Sequence, residues 1–347
     1  MKKLVVILLV AVVLLSLAGC QAEQTYKNDD GKVKIGFVSE SMTVERWLRD
    51  RDIFVAKAEE LGAEVIVQNA YEDSTRQKEI SMDLVDRGVD VLVIVAYDKD
   101  TLGDLIKYAH TNNVKVIAYD RLITNADADL YISFDNYKVG WLMADLATKA
   151  VPNGNYLILN GPATDNNCFM INDGYKDILQ PLIDSGAVTI AGETWIEAWR
   201  DEAAYAFVDD LLNKGVKIDA ILAADDRLAE GAVNALSERQ LAGTVYVTGQ
   251  DAELAACQRI VEGTQHMTVY KPISMLAEGA AEIAVKMALG EDIGSKETIN
   301  DGTYDIPYIV YEPIPVALDN IEDTVIKDGF YTVEQVYMNV PQSQWPQ

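Results

Sequence analysis

Seven short polar clusters recur along the chain, each following an apolar, β-rich run: Glu45-Arg46-Trp47, Asp120-Arg121, Asp165-Asn166-Asn167, Trp199-Arg200, Asp225-Asp226, Gln250-Asp251 and Lys271. Asp, Asn, Arg and Lys side chains each offer two or more hydrogen bonds to hydroxyl groups, and a flat indole can lie against the C–H face of a pyranose ring. Taken singly, every cluster has a plainer use. Arg121 can form a surface ion pair with Asp120, Trp47 can be a core residue of its helix, and Asp165 and Asp225 can be helix N-caps. Joint convergence on one cleft requires that the strands before them lie side by side, because open α/β sheets bind ligands beyond their carboxyl ends.

The pattern around the clusters supplies such strands. Apolar or β-rich runs at Val33–Val38, Glu64–Val67, Val91–Ala96 and Val116–Ala118 alternate with amphipathic segments at Glu45–Leu61, Ser74–Arg87 and Leu102–Thr111, with Gly62 and Gly88 as stops. A further run, Leu130–Phe134, follows Val116–Ala118 with no room for a helix. That break in the βα rhythm predicts the first crossing from one sheet to another, with Arg121 at the lip of the cleft. Past Asn136 the alternation restarts, with strands at Tyr156–Leu159, Val188–Glu193, Ala220–Ala223, Thr244–Val247 and Met267–Tyr270. A long helix then runs to Leu289, and the late runs Tyr308–Tyr311 and Val316–Leu318 return to complete both halves. The expectation is an α/β protein of two doubly wound parallel-sheet lobes joined by hinge strands. Lobe 1 would be 33–135 plus about 272–306, and lobe 2 136–271 plus about 307–347.

The first 19 residues read as a secretory leader. Lys2-Lys3 precedes the apolar run Leu4–Leu17, and Leu17-Ala18-Gly19-Cys20 is a small-residue cleavage site ending in cysteine. This is the pattern of a bacterial lipoprotein signal, with Cys20 as the lipidated residue and residues 20–32 as a polar tether. The apolar run is shorter than the roughly 20 residues of a membrane-spanning helix, so the lipid would supply the anchor to the outer face of the cell membrane. The formal net charge of −26 over 347 residues excludes nucleic acid as a partner, since phosphate binding needs clustered Lys and Arg. Cys168 and Cys257 are the remaining cysteines, and His110 and His266 the only histidines. The chain therefore offers no metal-ligand cluster, and no cofactor is expected.

Read together, Glu45-Arg46-Trp47 with Asp50-Arg51-Asp52, Ala118–Arg121, Tyr131–Asn136, Asp165–Asn167, Gly249–Ala252 and Met267–Pro272 resemble the D-xylose-binding proteins of bacterial ABC transporters, from about Lys34 to Gly290. The resemblance implies the type I periplasmic-binding-protein fold and no catalysis. It implies sugar contacts from Arg46, Arg121, Asp165, Asn167, Asp251 and Lys271, with Trp47 and Trp199 as stacking residues. Asp225 stands where the family has Asn; a carboxylate keeps the acceptor and loses the donor, which bears on the choice of pentose or anomer. The implied partners are a monosaccharide, D-xylose foremost, and an ABC permease, or alternatively a membrane histidine kinase that reads the closed form. A glycosidase would also use paired carboxylates. Against it, the Arg and Lys beside the acids are expected to keep them all ionised. A sugar-responsive transcription factor of the same fold would need a helix-turn-helix before Val33.

Overall fold

The computed structural model describes residues 31–346; the leader, Cys20 and most of the tether lie outside them. The first half is a seven-stranded sheet in the order β11-β12-β5-β4-β3-β1-β2. Its strands are β1 (Lys34–Ser39), β2 (Glu64–Asn69), β3 (Val91–Ile94), β4 (Lys115–Tyr119), β5 (Leu130–Phe134), β11 (Glu297–Asn300) and β12 (Asp305–Tyr311). All pairings are parallel except that of β11 with β12. β3 is buried along its whole length, as a central strand covered on both faces must be. Helices α1 (Glu45–Glu60) and α9 (Ile273–Leu289) cover one face and α2 (Ser74–Asp86) and α3 (Gly103–Thr111) the other, giving two apolar layers.

The second half repeats the plan with β6 (Gly154–Asn160), β7 (Val188–Trp195), β8 (Ala220–Ala223) and β9 (Tyr246–Val247) in the order β7-β6-β8-β9, all parallel. Helices α4 (Asn136–Ala150), α5 (Asn166–Asp184), α6 (Asp201–Asn213) and α7 (Asp226–Ser237) flank it. Beyond α8 (Leu254–Glu262), β10 (Met267–Tyr270) pairs antiparallel with β13 (Ile314–Ala317). Two α/β lobes with parallel sheets result, and the chain passes between them three times, after Phe134, after Tyr270 and after Tyr311.

Two expectations need correction. β4 and β5 are parallel neighbours in one sheet, so the crossing follows β5 and is not the gap between the two strands. Residues 120–129 make the return without a helix, because Asp301 pins them: its Oδ2 accepts the N–H groups of Ala126 (2.8 Å) and Asp127 (3.0 Å), and its Oδ1 those of Thr303 (2.8 Å) and Tyr304 (2.7 Å). Likewise β12 belongs to the first sheet, where Tyr308 is in register with Tyr131 and stacks on it at 5.0 Å. The last crossing therefore falls at Glu312-Pro313, not near residue 306. Proline cannot donate to a ladder, and it marks the break that the apolar runs alone concealed.

After β13 the chain packs as a tail, with a short helix α10 (Val333–Val336), against Ala252, Cys257, Ile260 and Tyr270 of the second lobe. Phe330 of this tail lies 5.1 Å from the ring of Tyr270. From the first lobe, Arg49 of α1 donates to the Phe330 carbonyl (3.2 Å) and lies over the rings of Phe330 and Tyr331.

Candidate functional site

Six of the seven clusters send at least one side chain from the loop or helix start that follows a strand into a single cavity between the lobes, and Trp199 joins them from the turn after β7. The space between these side chains amounts to about 430 Å³, part of it open to solvent. Arg46, Trp47, Arg121, Asp165, Asn167, Trp199, Asp225, Asp251 and Lys271 all line it, together with Val44, Asp120, Arg227, Gln250 and Glu253. Four other members of the clusters point elsewhere, the first being Glu45, which is exposed and pairs with Arg49 at 2.7 Å. Arg200 is exposed at the residue before α6, Asn166 faces the neighbouring surface, and Asp226 is buried behind the cavity on Gln265, Thr268 and the Glu253 N–H.

The first-lobe wall is built on two guanidinium groups. Arg121 binds Asp165 Oδ2 (2.7 Å), Glu40 Oε1 (3.0 Å) and the Ala96 carbonyl (3.1 Å). Arg46 binds Asp251 Oδ1 (3.0 Å) and Asp120, while its Nε faces Asp50 Oδ2 at 3.5 Å. Between them lies Trp47, whose indole N–H donates to Glu40 (2.9 Å), with the guanidinium carbons of Arg46 and Arg121 at 4.7 and 5.5 Å from its ring centroid. Trp47 is thus both a core residue and a wall of the cavity. Lys271, 2 % exposed, reaches Asp251 at 3.3 Å and Asp120 at 4.0 Å. Asn167 donates to the Asp120 carbonyl (3.0 Å) and accepts from Tyr131 (3.2 Å).

Asp165 and Asp225 hold both of the roles open to them. Asp165 caps α5 through the Asn167 N–H and Asp225 caps α7 through the Leu228 N–H, in each case with one carboxylate oxygen. The second oxygen of Asp165 meets Arg121, and that of Asp225 meets Arg227 Nε at 3.4 Å. Backbone strain gathers here as well. Asp120 (φ 61°), Trp199 (φ 54°) and Asp251 (φ 90°) are non-glycine residues in left-handed conformations, which surrounding structure must impose and which cluster at binding sites. Trp199 seats its indole against Gly161, where a Cβ would come within 2.4 Å of two ring atoms.

The electrostatics depart from the expectation that every acid stays ionised. Burial pushes the Asp120 carboxyl up, but Arg46, Lys271 and Arg121 outweigh it and hold the group below its usual range. Elsewhere burial wins. It leaves Asp165 above the usual range despite Arg121, raises Asp225 to about 6 against the pull of Arg227, and raises Glu253 to about 8, with Asp226, Asp225 and Asp251 adding to the effect. A nearby cation keeps a buried carboxyl ionised only where its attraction exceeds the desolvation cost.

Two α/β lobes around a cavity of charged and aromatic side chains fit a binding protein, and the chain belongs to the periplasmic binding protein family, whose domain matches residues 35–292. It is 46 % identical over 301 residues to the D-xylose-binding periplasmic protein of Escherichia coli, covering 86 % of this chain and 91 % of that one. To the protein of the same description from Haemophilus influenzae it is 43 % identical, covering 93 % and 98 %. Among solved structures it superposes with a TM-score of 0.82 and 28 % identity on a carbohydrate transporter solute binding protein from Chloroflexus aurantiacus in complex with D-glucose, over 88 % of this chain and 98 % of that one. An ABC transporter solute binding protein from Clostridium phytofermentans with bound β-D-glucose gives a TM-score of 0.81 at 27 % identity, over 87 % and 99 %.

Asp120 was legible as the neighbour of Arg121, and Gln250 as that of Asp251, yet neither is among the expected sugar contacts. Arg227 and Glu253 sit two residues beyond Asp225 and Asp251, at the starts of α7 and α8. Their spacing was the signal that could have found them.

Proposed function

We propose that this chain is an extracytoplasmic binding protein that captures D-xylose between its lobes and delivers it to an ABC permease, held at the membrane by lipid on Cys20. The observation that carries the reading is that all nine residues expected to touch the sugar line one inter-lobe cavity. The names of the relatives at 46 % and 43 % identity support the choice of sugar. In this reading Trp47 and Trp199 lie against the ring faces while Arg46, Arg121, Asp165, Asn167, Asp225, Asp251 and Lys271 bond the hydroxyls. Val33–Phe134 with Ile273–Tyr311, and Asn136–Tyr270 with 314–346, move as the two bodies about the three crossings.

Closure then strips water from the cleft and strengthens each charge-assisted bond. Such bonds contribute roughly 1.5–3 kcal/mol each, offset by desolvation of the hydroxyls and by ordering. The expected dissociation constant is on the order of micromolar or tighter, about −8 kcal/mol. In this reading, selection of a pentose over a hexose would be steric, by exclusion of an exocyclic hydroxymethyl group from the closed cavity. Calorimetric titration of the purified chain with D-xylose, L-arabinose, D-ribose and D-glucose tests this; D-xylose should bind tightest by at least tenfold. D-glucose binding as tightly as D-xylose, or no heat with any pentose, refutes the assignment. Labelled palmitate should enter the chain in a bacterial host and not its Cys20→Ser variant.

A further inference from the structure

The two walls of the cavity are satisfied unequally. On the first-lobe side the Arg121 guanidinium and the Trp47 N–H are engaged by protein groups, and the two unpaired atoms there, Arg46 Nε and Asp50 Oδ2, face each other. On the second-lobe side, capacity remains. The Trp199 indole N–H and Gln250 Oε1 have no hydrogen-bond partner, although these residues are only 8 % and 4 % exposed. Among the described residues, no group donates a hydrogen bond to the Glu253 carboxyl, and the Arg227 guanidinium reaches only Asp225, at 3.4 Å. Buried donors and acceptors in folded proteins are almost always paired, so the unpaired Trp199 N–H and Gln250 Oε1 point to the ligand that completes them, and the partly exposed Glu253 and Arg227 line the same side of the cavity.

We propose that Gln250, Glu253 and Arg227 are ligand-contacting residues which, with the Trp199 N–H, read the hydroxyl groups on the second-lobe face of the sugar, Gln250 as acceptor and Glu253 as hydrogen-bond donor. This rests on the sugar-binding reading above and adds residues to it. Arg227 and Glu253 restore donors on the wall where Asp225 has only acceptors. A carboxyl donates only when protonated, and the surroundings of Glu253 keep it so. Asp225 and Asp226 face it from the α7 end and Asp251 from its own turn, with Arg227 as the opposing cation. On its other side a small second cavity, shared with Arg46 and Asp251, brings in Glu45 and Arg49 of α1 and Tyr331 of the tail, while Lys271 faces Asp251. Burial with these acids raises the carboxyl to about 8. The protonated form is the binding form, so affinity is full below that value and falls as pH rises through it.

The test is calorimetric titration of the full-length chain with D-xylose between pH 7 and pH 9, with melting curves as a check on folding. The unaltered chain should lose about tenfold in affinity across this range. Glu253→Gln keeps a donor and cannot titrate; it should bind within about threefold of the unaltered chain at pH 7 and show a flat profile. Gln250→Ala should lose about tenfold and keep the pH dependence. The proposal is overturned if both variants bind like the unaltered chain, or if Glu253→Gln retains the wild-type pH profile. Absence of pentose binding by the unaltered chain overturns the sugar reading itself, and this inference with it.

Discussion

Replacing Arg121 by alanine is the perturbation with the largest calculable consequence. The guanidinium, 5 % exposed, joins Asp165 at the head of α5 in the second lobe to Glu40 and the Ala96 carbonyl in the first. Without it, Asp165 keeps only the Asn167 N–H and Glu40 only the Trp47 N–H, and both carboxyls are buried. Removing one partner of a buried ion pair costs about 3–5 kcal/mol, because the other charge stays desolvated. Opening the cleft returns water to Asp165, so most of this cost falls on the closed form and therefore on affinity. At about 1.4 kcal/mol per tenfold, the dissociation constant for D-xylose should rise by two to three and a half orders of magnitude. Titration calorimetry reads this directly, and melting curves with and without sugar show whether the ligand-free fold survives. Combining Arg121→Ala with Asp165→Asn should recover part of the loss, since the double variant no longer buries an uncompensated charge. A single variant that binds within threefold of the unaltered chain would show that the bridge does not contribute to closure.

Three further outcomes follow from the geometry. Gly161→Ala places a methyl against the Trp199 ring and 2.7 Å from Cys168 Sγ; the indole must move, and affinity should fall at least tenfold with about 1–3 kcal/mol of stability, read by titration and denaturant melts. Asp301→Ala orphans four backbone N–H groups and should cost about 2–3 kcal/mol in urea unfolding. These bonds hold the carboxyl below its usual range, so its contribution is complete above about pH 4 and lost as pH falls through the folded value. Asp225, Asp226 and Glu253 behave oppositely, being raised to about 6, 7 and 8 from unfolded values near 4. Between about pH 4 and 8 the folded chain binds more protons than the unfolded one, so the ligand-free melting temperature should be higher at pH 5 than at pH 8; the reverse order would contradict the burial of these groups.

Much of the architecture was readable because strand and helix signals agreed with the eventual packing. Leu130–Phe134, Ala220–Ala223 and Met267–Tyr270 are apolar or β-branched runs buried on both faces, and they emerge with the bounds the pattern predicts. Glu297–Asn300 escaped notice because a polar, largely exposed edge strand has no apolar face to betray it. β9 is shorter than its run: Gly243 at φ 82° and the Thr244 and Val245 N–H groups bonded back to Leu241 hold the first residues in a turn. In the cavity, residue identities were legible from strand-end position and resemblance, but protonation was not. The Arg and Lys beside the acids in the sequence predict that all the carboxylates are ionised. Only the depth of burial, which the sequence does not give, raises Asp225 to about 6.

The tail after β13 carries a mechanical implication. It is rooted in the second lobe, yet it grips Arg49, which lies less than one helical turn from Arg46 and Trp47 on α1. Any swing that withdraws those two side chains must drag Arg49 across Phe330 and Tyr331 or release it. In the proposed closure the tail's hold on Arg49 would oppose separation of the lobes, so its strength bears on how wide the empty jaws rest.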